Sequence, residues 1–326
     1  MTNLKTQFTE QAKVQYPIIC GAMYPCSNPE LVAAVSEAGG LGIIQPLSLV
    51  YVHGYEFKAG LKKIRELTQK PIGMNVIVEK NAKIYEDRMK KWVDEAIEFG
   101  IRFFVTALGN PQWVLDKVKA VGGFVYHDVT EKKWALKVVD CGVDGLICVN
   151  NRAGGHAGVR SAEELFEELG VFKLPLVCAG GIGDESDFIS ALKIGYSGVQ
   201  MGTRFIATEE CNSHEDYKTA IVTSEEKDIV KTERVTGVPL AVIRTPYVDK
   251  VGLKVGPFSK LLFKNRKTRH WIRFLYNLRA VASMKRTALK GVSTKDYYQA
   301  GKSVHGIEKV ESVRVIVERF VAHAKS

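Results

Sequence analysis

The sequence predicts an α/β chain folded as a (β/α)8 barrel of the TIM type, with a basic insertion or lid region toward its C-terminal end. Three observations carry this. Short apolar runs alternate strictly with amphipathic helical patterns between Ile18 and Met201, and such alternation argues for parallel strands. Eight strand–helix units favour a closed barrel over an open doubly wound sheet, the more so because no G-x-G-x-x-G follows the first strand. The last three strands each end in a glycine-rich stretch, at the edge where α/β proteins bind ligands.

In order, Ile18 to Cys20 is strand one, and Asn28-Pro29 supplies the cap and first turn of a helix to Glu37 that Gly39-Gly40 ends. Leu41 to Gln45 is strand two, and a helix runs from Phe57 to Gln69 before Pro71. Ile72 to Val78 is strand three. Its helix, Lys83 to Phe99, puts Met89, Trp92, Val93 and Ala96 on one side. Ile101 to Ala107 is strand four, followed by a helix from Pro111 to Ala120. Phe124 to His127 is strand five, with a helix from Thr130, its expected cap, to Val139. Strand six is Leu146 to Val149, and Ser161 opens a helix with Glu163 and Glu164 in its first turn. Leu176 to Ala179 and Gly198 to Met201 are strands seven and eight, flanking a helix from Asp184 to Lys193.

Beyond Thr203 the pattern changes. Thr208 to Glu226 reads as helical, Thr236 to Tyr247 and Lys295 to Ile307 as turn-rich, and Val310 to Ala324 as a closing helix. The expected division is a barrel over 1–210, a substrate or lid region over 211–308, and a C-terminal helix over 309–326 that closes on the barrel. The net charge of +10 is local. Thirteen Lys and Arg and no acid lie between Lys250 and Lys295, which leaves the remainder at −3 (10 − 13). Apolar residues around Trp271 interleave with these charges. The segment is a solvated lid, or it faces an acidic carrier protein, coenzyme A phosphates or a membrane surface. No nucleic-acid module is present.

No apolar run is long enough for a bilayer span, and the N-terminus lacks the apolar core of a secretory signal. The six cysteines, Cys20, Cys26, Cys141, Cys148, Cys178 and Cys211, form no C-x-x-C pair. They read as reduced thiols in a cytoplasmic protein, with no metal site. H-E-x-x-H, G-x-S-x-G and G-x-x-x-x-G-K-[ST] are absent, which removes those zinc-protease, hydrolase and P-loop chemistries.

The chemistry gathers at the strand ends. Strand six breaks into Asn150-Asn151-Arg152-Ala153-Gly154-Gly155-His156, a lone imidazole in a glycine loop. Strand seven ends in Ala179-Gly180-Gly181-Ile182-Gly183, and strand eight in Gln200-Met201-Gly202-Thr203. Paired loops there are the usual phosphate cradle of this barrel, since backbone N–H groups favour an anion. Gly21-Ala22-Met23 after strand one leaves room for a planar ring, and Asn75 on strand three is a buried amide that needs a partner, either a flavin edge or a neighbouring loop. A ring over the mouth and one phosphate at strands seven and eight is the footprint of flavin mononucleotide (FMN). His127, at the end of strand five, either reaches the mouth or stays in the core. His53, His214, His270, His305 and His323 carry no separate signal.

The segments PIICGAM, GGLGII, IGMNVIV, AGGHAG, CAGGIGD, VQMGTRF, RVTGVPLAVI and YYQAGKSVHGI occur in this order. With them the chain resembles the nitronate monooxygenase (2-nitropropane dioxygenase-like) family, which includes FMN-dependent enoyl-acyl-carrier-protein reductases. The resemblance implies FMN, its ring near Ala22, Met23 and Asn75, its phosphate at Gly180, Gly181, Gly202 and Thr203, and His156 as the catalytic base or orienting group. Two positions depart from the pattern. Arg152 stands where relatives are often acidic, and Lys302 where glutamine is common, which implies cations on the substrate side or plain surface residues. The leading expectation is oxidation of alkyl nitronates with oxygen. The alternatives are an NAD(P)H-dependent enoyl-thioester reductase and a flavin-holding barrel without turnover. A small-molecule substrate and a homodimer complete the expected partners.

Overall fold

A computed structural model describes residues 3–79, 83–255, 285, 289 and 297–326. Its centre is a closed barrel of eight parallel strands hydrogen-bonded in chain order, with the last strand closing on the first. The strands are β1 (Ile18–Cys20), β2 (Leu41–Ile44), β3 (Ile72–Ile77), β4 (Phe103–Ala107), β5 (Phe124–Val129), β6 (Gly145–Val149), β7 (Leu176–Ala179) and β8 (Gly198–Met201). Residues of period two divide the apolar side chains between two cores. Ile19, Ile43, Val105, Tyr126, Ile147 and Val177 fill the barrel axis. Their neighbours Ile18, Ile44, Phe104, Val125, Leu146 and Cys178 face the surrounding helices.

Between the strands lie α2 (Pro29–Glu37), α3 (Phe57–Leu67), α4 (Lys83–Glu98), α5 (Gln112–Lys119), α6 (Lys132–Val139), α7 (Ala162–Gly170) and α8 (Glu185–Ile194). Reciprocal side-chain caps start α7 at Ser161 and Glu164 and α8 at Asp184 and Asp187. The expected caps at two other helices differ. Glu131, not Thr130, precedes α6. Asn28 precedes α2, but its amide is spent on Glu30 (2.8 Å) and the Glu210 carbonyl (2.9 Å).

One helix had no signal in the sequence. Ahead of the barrel, α1 (Gln7–Ala12) plugs its N-terminal end. Phe8 is fully buried 5.6 Å from the Phe103 ring and 6.1 Å from the Tyr126 ring, and the Tyr126 hydroxyl donates to Gln11 Oε1 at 2.7 Å. Its buried apolar residues Phe8 and Ala12 are four apart, but one such interval is too short a pattern to mark a helix, and tertiary packing reveals it.

Past β8 come α9 (Thr203–Ile206) and α10 (Glu215–Thr223), of which α10 lies within the region 208–226 expected to be helical. The stretch expected to be turn-rich holds a strand. β9 (Ile229–Thr232) and β10 (Leu240–Ile243) form an antiparallel pair, followed by α11 (Pro246–Val251). Four residues flanked by Gly237, Pro239 and Pro246 read as punctuation until their partner strand is known. The closing helix, α12 (Val313–Lys325), buries Ile316, Val317, Phe320 and Val321 against α2 and α8. The fully buried Arg204 donates to the carbonyls of Ala207 and Lys309 (2.9 Å each) and so ties α9 to the chain entering α12.

The six cysteines are free thiols. Among the described residues no helix is long and apolar enough to cross a membrane. Most of the basic segment 250–295, including Trp271, lies outside the described residues.

Candidate active site

A cavity of about 1260 Å³ opens at the carboxyl ends of the strands. Its β6–β8 side is made of backbone. Gly154 and Gly155 from the loop after β6, Ala179, Gly180 and Gly181 after β7, and Gly202 and Thr203 after β8 all line it. Gly180 and Gly181 have φ of +115° and +83°, and a Cβ on Gly180 would lie 2.4 Å from Asn150 Oδ1. Only glycine fits that turn, which is the physical content of the repeated motif. Gly183 is not part of the lining: a Cβ there would lie 2.2 Å from the Ser303 carbonyl oxygen, so its smallness serves loop packing.

The floor comes from β1, β3 and β8. Gly21, Ala22, Met23, Asn75, Gln200 and Met201 line it. The Gln200 side chain runs so close to Gly21 that a Cβ there would lie 2.9 Å from it. The Asn75 amide donates to the Val105 carbonyl at 3.2 Å. Thr203 Oγ1 accepts from Gly301 N at 3.0 Å, leaving its own proton to donate.

The loop with the imidazole is held from outside. Gly155 and Ala241 exchange backbone hydrogen bonds (2.7 and 3.3 Å), so a single β-bridge ties the loop to the edge of the β9–β10 sheet. His156 stands at the cavity rim with Nε2 3.1 Å from Thr236 Oγ1. That hydroxyl donates to the Val238 carbonyl at 3.1 Å, so toward the ring it accepts. Nε2 therefore carries the proton and Nδ1 the lone pair, a tautomer assigned from the network. Desolvation lowers the His156 pKa below the ordinary imidazole value, so the neutral, basic ring prevails at neutral pH. Thr236 sits inside the RVTGVPLAVI motif, but only the sheet shows which hydroxyl meets the ring.

On the β4–β5 side the wall is made of side chains. His127 borders the cavity, yet its Nδ1 is 2.7 Å from Thr106 Oγ1, and it pairs with Leu146 on the helix-facing side of the strand. Burial pushes its pKa down to about 4. The next residue, Asp128, shares its face with Tyr126 and lies opposite Ile147, both in the barrel-axis core. It lines the cavity, and its Oδ1 is buried without a partner among the described residues. Counting alternate residues along Phe124, Tyr126 and Asp128 is the sequence signal for it. Farther out, Trp134 and Lys137 of α6 complete this wall, with Lys137 Nζ 4.7 Å from the Trp134 ring centre.

Arg152 and Lys302 are outside the lining. Glu226 takes both, Arg152 at 3.0 Å and Lys302 at 2.9 Å. The Lys302 hydrogen bond and the Arg152 charge hold its carboxyl below the usual carboxylate range. Asp184, Asp187 and His305 also cluster. Asp184 accepts from Asp187 N (2.9 Å), and Asp187 from Gly183 N (2.9 Å), so these acids cap α8.

This geometry matches known proteins along its length. The family model described as nitronate monooxygenase matches residues 5–323. The chain belongs to the nitronate monooxygenase family. It is an oxidoreductase by that membership. A similar protein is the (3aS,4S,5R,7aS)-5-hydroxy-7a-methyl-1-oxo-octahydro-1H-indene-4-carboxyl-CoA dehydrogenase of Rhodococcus jostii (strain RHA1). It is 31% identical over 252 residues, which span 77% of this chain and 69% of that one. A probable nitronate monooxygenase of Staphylococcus saprophyticus is 30% identical over 291 residues, 76% of this chain and 81% of that one. Among solved structures, FabK from Thermotoga maritima superposes with a TM-score of 0.82 at 28% identity, covering 99% of this chain and 97% of that one.

Proposed function

We propose that the chain is an FMN-dependent oxidoreductase that oxidises a carbon beside a strongly electron-withdrawing group, with alkyl nitronates and their parent nitroalkanes as the leading substrates. One observation carries this reading: a neutral imidazole with its Nδ1 lone pair available shares one cavity with three glycine-lined strand ends. The residues present fit FMN. The positive-φ turn at Gly180 and Gly181 presents backbone to a phosphate, Gly21 and Ala22 leave the space of a flat ring, and the Asn75 and Gln200 amides suit its polar edge. When bound, FMN supplies electron acceptance and reactivity with oxygen.

His156 takes the α-proton of a nitroalkane onto Nδ1. The C–H bond breaks, and its electron pair spreads onto the nitro oxygens. Thr236 fixes the ring during the transfer, and the β9–β10 sheet fixes the loop. Arg152 and Lys302 act as a brace through Glu226, a different part from the substrate-side one their charge suggests. A second reading, an acyl- or enoyl-thioester as substrate, draws on the size of the cavity. Pockets for one drug-sized ligand run to about 300–1,000 Å³, and this one exceeds that. The carboxyl-CoA dehydrogenase relative adds weight to it.

Chromatography of the heat-released cofactor is expected to yield FMN, and recovery of FAD or of no flavin after reconstitution overturns the assignment. Anaerobic flavin reduction is then followed with nitroethane, ethyl nitronate, an enoyl-thioester with NADH, and a saturated acyl-CoA in parallel. His156→Ala is expected to slow nitroethane by about 10²–10⁴-fold, the usual range for a general base, and preformed nitronate much less. Equal losses on both show that His156 does not deprotonate.

A further inference from the structure

We propose that Asp128 is a ligand-facing acid whose protonated carboxyl donates a hydrogen bond to the nitro or carbonyl oxygen of the substrate while His156 removes the α-proton. The inference deepens the functional reading above and rests on it. Its basis is an orphaned atom in the right place. Asp128 Oδ1 is buried, has no hydrogen-bond partner among the described residues, and belongs to a residue lining the cavity. Strand register turns that residue toward the barrel axis. The loop carrying His156 comes back to the same strand end: a Cβ on Gly158 would lie 3.4 Å from the Thr130 side chain, two residues past Asp128.

The neighbouring groups leave the carboxyl without a counter-charge. On its own strand, His127 is neutral and bound to Thr106. On β6, burial keeps the Cys148 thiol protonated. On α6, Lys137 lies over Trp134, and Asp140 adds a second carboxylate to the lining. At the rim, His156 is held neutral. Among the described residues no cation pairs with Asp128. A buried carboxylate without a partner takes up a proton, and burial raises this one from 3.8 to about 7. A carboxylic acid kept neutral donates to oxygen that gains charge, and that is where charge arrives when the α-proton leaves a nitroalkane or thioester.

The test uses the FMN-loaded full chain and its Asp128→Asn and Asp128→Ala variants. Infrared difference spectra give a readout that needs no turnover. A protonated-carboxyl band is expected near neutral pH, absent from both variants, and shifted when nitroethane is bound at saturation. Absence of the band, or a band that nitroethane leaves in place, overturns the proposal. Anaerobic flavin reduction by nitroethane across pH gives the second readout. The wild-type rate is expected to fall on the alkaline side as Asp128 ionises. Asp128→Asn, which keeps an N–H donor, loses that alkaline limb and stays within about tenfold. Asp128→Ala falls by about 10²–10³-fold, the range for a lost oxyanion donor. An unchanged alkaline limb in Asp128→Asn, or an unaffected Asp128→Ala, overturns the proposal. If no offered substrate reduces the flavin, the functional reading fails, whereas the infrared spectra still decide Asp128.

Discussion

The two halves of the cavity mouth are built on different principles. From β6 to β8 and round to β1 the wall is backbone: glycine turns, strand ends and a loop clamped into a small sheet. From β4 to β5 it is side chains: His127, Asp128, Trp134 and Lys137. In the backbone half the main chain supplies shape and hydrogen-bonding groups that do not titrate, and the His156 imidazole stands at its rim. The β5 half has two buried ionisable groups side by side whose pKa values move in opposite directions, since burial disfavours the charged form of each.

The largest effect is expected where the backbone half is broken. Gly180→Val puts a branched side chain at φ +115° and within 2.4 Å of Asn150 Oδ1. Such strain costs on the order of 1–3 kcal/mol from backbone angles alone. The steric conflict adds to it by moving the loop. Flavin fluorescence titration is expected to show FMN affinity reduced by 100-fold or more, on the order of the ~3 kcal/mol involved, in a protein whose barrel circular dichroism is kept. Normal FMN affinity in this variant breaks the comparison at its strongest point.

This contrast also explains what could be read from the chain. The barrel and the glycine half are local: strand, turn and helix start lie within a few residues, so AGGHAG, CAGGIGD and VQMGTRF expose them directly. The other features depend on distant partners. α1 makes sense only against Phe103 and Tyr126, β10 only against β9 and Gly155, and Thr236 only once that sheet brings it to His156. His127 draws attention by its type, yet strand alternation hands the axis-facing position to Asp128. Arg152 and Lys302 look like substrate cations until Glu226, more than seventy residues from either, is seen between them.

The β5 half yields the next effect, a stability with two pH limbs. The His127 pKa is depressed from 6.5 to about 4. Its contribution is present above the unfolded value and lost as pH falls from 6.5 toward 4, about 3 kcal/mol at most. The Asp128 pKa is raised from 3.8 to about 7. Its contribution is fully present below 3.8 and lost as pH rises through about 7. Thermal melts are expected to show His127→Gln flattening the acid limb, and Asp128→Asn raising Tm relative to wild type by an amount that is absent below about pH 3.8, grows as pH rises toward 7 and levels off above it. A Tm gain for Asp128→Asn that is equal at all pH values means the carboxyl has one pKa in the folded and unfolded chain, and the β5 half then loses its alkaline limb.

The smallest effect is expected at Glu226, where side chains brace the backbone half from outside. Its pKa is lowered first by the Lys302 hydrogen bond, with the Arg152 charge adding to it. A depressed carboxylate pKa gives stability that is present above the unfolded value and lost as pH falls through the folded one. The group is 37% exposed, so solvent screening confines the pair energies to about 0–1 kcal/mol. The backbone beneath does not depend on it. Lys302 N donates to the Arg152 carbonyl at 2.8 Å, and Gly301 packs so tightly on Gly154 that a Cβ would lie 2.6 Å from Gly154 N. Glu226→Gln is therefore expected to lower Tm by a few degrees at most, an effect that fades in high salt as screening shortens to about 3 Å at 1 M. FMN affinity is expected to change by less than about fivefold, in keeping with that energy range. A loss of flavin as large as that of Gly180→Val, abolished by neutral substitution of both Arg152 and Lys302, makes the ion cluster the true support of the loop. The backbone half is then held by charge after all.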